Sequence, residues 1–137
     1  MLNRLKEKEE KITQSISILI EDSKKGTLII VEGKKDVATL RALGVEGKII
    51  CAKTGGKSFL DVVSDLQDAQ LSEIILLMDF DRRGKQATNR LRHSLERAGI
   101  KVNLEIWLAI LRSAGKDNQC IEGLSTYLDN LRAKISN

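Results

Sequence analysis

The sequence has no proline, and its aromatic residues amount to two Phe, one Trp and one Tyr. Without proline there is no rigid extended linker, and the chain is expected to turn through short connections. With so few aromatic rings there is little on which to stack bases, so a dedicated reader of single-stranded nucleic acid is disfavoured. The two cysteines, Cys51 and Cys120, and the single histidine, His93, supply neither a disulfide framework nor an ordinary four-ligand zinc site. Apolar runs reach only strand length, and residues 3–11 are rich in charge. That pattern disfavours a membrane span or a signal peptide and predicts a cytoplasmic protein. No internal repeat or low-complexity tract is present.

What remains is enough for one ordinary domain: 137 residues, 42% of them apolar, with a formal net charge of +4. Leu2, Leu5, Ile12, Ile16 and Leu19 recur at helical spacing and predict an amphipathic N-terminal helix ending near Lys24 to Gly26. The apolar runs 27–31, opened by Thr27, and 74–78 read as buried parallel strands, with a third strand at 48–52. A helix over 35–43 closes at Gly44. A second, capped by Ser58, carries Phe59, Val62, Val63 and Leu66 on its buried side. A third carries Ala87, Leu91, Leu95 and Ala98 and ends at Gly99. Alternating residues over 100–107 predict a half-exposed strand near a sheet edge, Gly115 to Asn118 a loop, and Ile121, Leu124, Leu128 and Leu131 a C-terminal helix. Right-handed crossovers then give a three-layer α/β fold with a mainly parallel sheet of about four strands.

The strongest chemical signal lies where two of these strands end. Glu32 follows the first run, and Asp79-Phe80-Asp81 follows the central one. Ligands of open α/β sheets sit beyond the carboxyl ends of the strands, so these acids are expected to converge. Side-chain alternation would point Asp79 and Asp81 to the same side. Carboxylates gathered in this way repel one another unless a cation neutralises them, and hard Mg2+ takes such oxygen ligands. The alternative is a set of solvated loop acids that happen to follow two strands.

At these residues the chain resembles the Toprim domain, the metal-binding module shared by topoisomerases, bacterial-type primases, recombination-mediator proteins, OLD-type nucleases and ribosomal-RNA maturation nucleases. Glu32 matches that family's glutamate after the first core strand, and Asp79 with Asp81 matches its DxD. Gly33 and Gly84 fall where it often has turn glycines. The resemblance runs from about Gly26 to Trp107 and divides the chain into an N-terminal accessory helix (1–25), a Toprim core (26–112) and a C-terminal helical extension (113–137). It implies a Toprim/Rossmann-like fold and a site holding Mg2+, with Mn2+ as a substitute. Glu32, Asp79 and Asp81 would then be metal-binding and catalytic, with Glu32 either a ligand or a general base or acid. Arg83 stands where topoisomerase versions commonly carry a third aspartate, which places the chain nearer the primase and small-nuclease branches. Tyr127 sits at helical spacing among leucines, unlike a strand-passing nucleophile.

Basic residues surround this acidic pair of strand ends. Cys51 to Ser58 ends in Gly-Lys-Ser between a strand and a helix, but a P-loop needs glycine where Cys51 stands. Lys53, Gly55, Gly56 and Lys57 could still cradle a phosphate, and the competing reading is a glycine turn with solvated lysines. Arg83, Arg90 and Arg97 recur every seven residues on one helix face, with Arg82 and Lys85 at its start, forming a basic rail suited to phosphate backbones. A solvated helix face is the ordinary alternative. Lys34 joins the phosphate-binding set. Asp36, one helical turn past Glu32, reads as a first-turn acid facing the helix dipole, and Glu122 stays outside the catalytic set. The expected function is Mg2+-dependent phosphodiester chemistry on nucleic acid, RNA favoured over DNA, in the manner of a small endoribonuclease. The alternative is an RNA-binding module in an RNA-processing complex that hydrolyses little. The apolar face of the N-terminal helix is compatible with a homodimer.

Overall fold

The computed structural model describes residues 2–53, 61, 64–66 and 73–137. In chain order the elements are α1 (Leu2–Lys24), β1 (Leu28–Val31), α2 (Lys34–Ala42), β2 (Ile49–Cys51), β3 (Glu73–Leu76), α3 (Arg82–Arg97), β4 (Lys101–Asn103), α4 (Glu105–Ala114) and α5 (Leu124–Ser136). The strands form one all-parallel sheet in the order β2-β1-β3-β4. The helix expected from Ser58, with Phe59, Val62 and Val63, falls outside the described residues, although Leu66 is buried.

β1 and the run 74–78, which starts within β3, are apolar throughout because both faces of the sheet are covered there. Ile29, Val31, Ile75 and Leu77 face a cluster built with Ile12, Ile16 and Leu19 of α1, Leu40 of α2, Trp107 and Ile110 of α4, and Leu128 and Leu131 of α5. Leu28, Ile30, Ile74, Leu76 and Met78 face the other cluster, with Leu66 and with Ala87, Leu91 and Leu95 of α3. The period-two alternation of a strand divides the two sets. α1 is therefore built into the main core, and α1 also pairs with the C-terminal half through Arg132–Glu9 at 3.1 Å and Lys8–Asp117 at 3.0 Å. Exposed pairs of this kind contribute little stability, so the register of α1 rests on its apolar stripe. Among the described residues no helix is long and apolar enough to cross a membrane.

The segment 100–107 departs from the expected strand. Only Lys101–Asn103 pairs with β3, as the sheet edge, and α4 begins at Glu105. Asn103 Oδ1 accepts the Glu105 N–H at 2.9 Å, a side-chain turn that stops the strand. Ile106, Trp107, Ile110 and Ala114 are then buried on one helix face. Alternation over 100–107 is genuine, but it overlaps the start of this helical stripe. Gly99 adopts φ +83° after α3, a conformation that side chains disfavour, and turns the chain into β4.

Candidate metal and phosphate site

β1 and β3 are neighbours in register, with Ile30 opposite Leu76. Glu32 lies two residues past Ile30 and Asp79 three past Leu76, so adjacent strand ends deliver both carboxyls to one place. The apolar run continues beyond β3, where the Leu77 N–H donates to the Ile30 carbonyl at 2.9 Å and carries the chain to Asp79. Two contacts fix this segment. The Trp107 indole N–H donates to the Met78 carbonyl at 2.8 Å, and the Phe80 N–H donates to the Gln119 carbonyl at 2.8 Å. A third comes from the loop before α5, where the Ile121 N–H donates to Asp79 Oδ1 at 3.1 Å.

Asp79 is half-buried and its carboxyl is pushed up to about 7. Burial is the largest cause, followed by the hydrogen bond it shares with Glu32; the charges of Glu32 and Asp81 act the same way, and the Ile121 N–H opposes them. Two carboxyls in hydrogen-bond contact must share a proton or a cation.

Asp81 is placed differently. The strand has ended before the DxD, so alternation no longer governs it, and Asp81 becomes the N-cap of α3, accepting the Gly84 N–H at Oδ1 over 2.7 Å. Among the described residues no three His, Cys, Asp or Glu side chains are gathered closely enough to hold a metal ion together. The structure thus joins Glu32 to Asp79 and leaves Asp81 alongside, felt by Asp79 as a charge. Two hard oxygen donors still fit Mg2+, which keeps several waters and commonly uses one or two carboxylates together with substrate phosphate.

Two acids outside the expected set lie nearby, Asp36 beside Asp79 and Glu122 beside Asp36. Asp36 is buried, accepts the Gly33 N–H at 3.0 Å across the first turn of α2, and is raised by burial and then by the charges of Asp79 and Glu122. Glu122 comes near because the Thr39 hydroxyl donates to its carbonyl at 2.9 Å, tying α2 to the loop before α5. The spacing of Asp36 from Glu32 was a signal for the first, but nothing local in sequence announces the second. Gly84 also differs from a turn glycine: it is buried in the first turn of α3, and a Cβ there would overlap the Asp79 carbonyl.

The basic residues divide between two clefts. Glu32, Lys53, Arg83, Gln86, Ala87 and Arg90 line a cleft of about 140 Å³. Lys53 is held there because its N–H donates to the Glu32 carbonyl at 3.2 Å, extending the β2–β1 pairing. Arg82 and Lys85 line a different cleft, with Arg92 and Trp107. Arg97, at the end of α3, and Lys34, at the start of α2, are exposed and line neither. Gly55, Gly56 and Lys57 lie outside the described residues. Tyr127 donates its hydroxyl to Asp117 Oδ2 at 3.2 Å, a tie between α5 and the preceding loop.

A model of the Toprim domain matches residues 26–104. The chain belongs to the Toprim domain family. Among curated proteins, this Toprim chain is 35% identical over 126 residues to a UPF0292 protein of Methanosarcina barkeri, covering 91% of this chain and 85% of the relative. A UPF0292 protein of Methanocaldococcus jannaschii is 40% identical over 102 residues, covering 74% and 77%. A solved structure described as a putative protein from Aquifex aeolicus superposes with a TM-score of 0.66 at 27% identity, covering 80% of this chain and 94% of that one. The matched Toprim segment contains Glu32, Asp79 and Asp81, whereas the Ile121 N–H that holds Asp79 comes from beyond it.

Proposed function

We propose that this Toprim protein performs Mg2+-dependent phosphodiester hydrolysis on structured RNA. The observation that carries the reading is that Glu32, in contact with the half-buried Asp79, lines a cleft whose other charged residues are Lys53, Arg83 and Arg90. Acid and base serve different atoms of one substrate. Glu32 and Asp79 would hold Mg2+, which when bound supplies charge neutralisation at a phosphoryl oxygen. Lys53 and Arg83 orient the phosphate beside the carboxyl pair, and Arg83 can do so in a bidentate manner. Glu32, freed of the shared proton once the cation is held, would take a proton from the attacking water and return it to the leaving oxygen as the phosphorus–oxygen bond breaks.

A second reading, an RNA-binding module that hydrolyses little, is favoured by one observation: Asp81 Oδ1 is committed to the cap of α3 and the three motif acids do not close into one cluster. Incubating the purified protein with labelled structured RNA, single-stranded RNA and DNA, with and without Mg2+, separates the two. Metal-dependent cutting abolished by Asp79→Ala supports hydrolysis. Binding that survives without cutting supports the module.

A further inference from the structure

α3 carries cations on both of its exposed flanks. At 100° per residue, Arg83 and Arg92 stand on opposite sides of the helix. Gly84, Thr88, Leu91 and Leu95 bury the stripe between them. Arg83 and Arg90 enter the cleft with Glu32. Lys85 and Arg92 enter a second cleft of about 330 Å³ between α3 and α4, which also takes Arg82, Asn89, Leu104 and Trp107. Gln86 lines both clefts and therefore sits on the ridge between them.

The second cleft has the chemistry of an anion site. Arg82, Lys85 and Arg92 contribute three cations and no carboxylate lines the space. Arg92 is held in place by Asn89, whose Oδ1 accepts from Nη2 at 3.1 Å. The Trp107 ring cannot turn toward a ligand, because its N–H is spent on the Met78 carbonyl; with Leu104 it forms an apolar wall. Guanidinium and ammonium groups above an apolar wall suit the sugar-phosphate backbone of a nucleic acid.

We infer that the α3–α4 cleft is a second backbone-binding track, and that α3 is a ridge straddled by an RNA duplex with one strand in each cleft. The inference rests on the reading of the Glu32 cleft as a site for RNA phosphodiesters. The ridge has the width of a helix, about 10–12 Å, so the two cation rows are too far apart for one phosphate and suit two backbones. An A-form duplex presents a wide, shallow minor groove bordered by both backbones and rich in 2′-hydroxyls, which a ridge bearing an amide at Gln86 can cover. The Glu32 cleft would hold the strand that reacts, and Lys85 with Arg92 its complement.

The test is the salt dependence of affinity in EDTA for an RNA duplex, its single strand and a DNA duplex of the same sequence, with variants first matched to wild type in melting temperature. Lys85→Gln/Arg92→Gln should weaken the RNA duplex and flatten its log–log salt slope by about two, while the slope for single-stranded RNA stays at the wild-type value. Arg83→Gln/Arg90→Gln should weaken both forms of RNA. Equal losses on duplex and single strand in the Lys85/Arg92 variant would overturn the straddled ridge, as would unchanged duplex binding. A DNA duplex bound as tightly as the RNA duplex, with the same dependence on Lys85 and Arg92, would overturn the assignment to RNA. Wild-type protein that binds none of the three probes would overturn this inference together with the reading beneath it; loss confined to the Arg83/Arg90 variant would overturn this inference alone.

Discussion

Ile121 donates its backbone N–H to Asp79 Oδ1 at 3.1 Å, across 42 residues of sequence. The bond reaches the Toprim acid from outside the segment that defines the family. It favours the charged carboxylate, yet burial and the contact with Glu32 outweigh it and leave Asp79 near 7.

That balance fixes a pH dependence in the absence of divalent cation. A carboxyl that ionises near 4 when unfolded and near 7 when folded holds more protons in the folded state between those values. Its contribution to stability is full below the unfolded value, declines as pH rises toward 7 and is flat above. Melting temperature in EDTA should show this decline, and Asp79→Asn should reduce it. An identical slope in wild type and variant would remove Asp79 as the source.

Divalent cation should replace the shared proton. Mg2+ or Mn2+ at about a hundred times its dissociation constant stabilises a folded protein by about 2.7 kcal/mol. Because the ligand form of Asp79 is deprotonated, the rise in melting temperature should grow as pH passes upward through 7. Calorimetry of Glu32→Gln/Asp79→Asn should show this binding lost; affinity equal to wild type would refute the pair as the metal site.

Asp81 has a structural duty that separates it from Asp79. Asparagine caps a helix about as well as aspartate, while alanine at an N-cap costs about 1 kcal/mol. Asp81→Asn should therefore melt close to wild type and Asp81→Ala below it. If Asp81 also assists the cation, both variants should bind Mg2+ more weakly, whereas an effect on melting alone confines Asp81 to the cap.

Gly84 sets the distance between α3 and the acid site. A methyl at this position would overlap the Asp79 carbonyl, so backbone must shift. Overpacking of this kind costs about 1–3 kcal/mol. Gly84→Ala should lower the denaturant midpoint and weaken Mg2+ binding together, and a variant of wild-type stability would show that the turn yields freely.

The basic row nearest Glu32 should govern affinity for RNA. Replacing Arg83, Arg90 and Arg97 by Gln should flatten the log–log salt slope by up to about three if each meets one phosphate. Arg97 lies outside the cleft lining, so restoring it alone should recover the least. A folded triple variant with the wild-type slope would make this row a solvated face.

Sequence alone determined the elements whose physics is local. The doubly covered strands reveal themselves as uninterrupted apolar runs, because neither face can tolerate a polar side chain. The helix stripes and the turn at Gly99 follow from spacing and from the cost of positive φ to a side chain. The acids at two strand ends were legible for the same reason, since parallel topology sends those ends to one edge of the sheet. Only the tertiary structure decided how they meet. Asp81 left the pair when the chain became a helix, and α3 divided its cations between two clefts once its buried stripe was chosen. Likewise, α4 displaced most of an expected strand because Ile106, Trp107 and Ile110 had a core to enter. Ile121 and Glu122 joined the site through contacts made across long stretches of sequence, which no periodicity records.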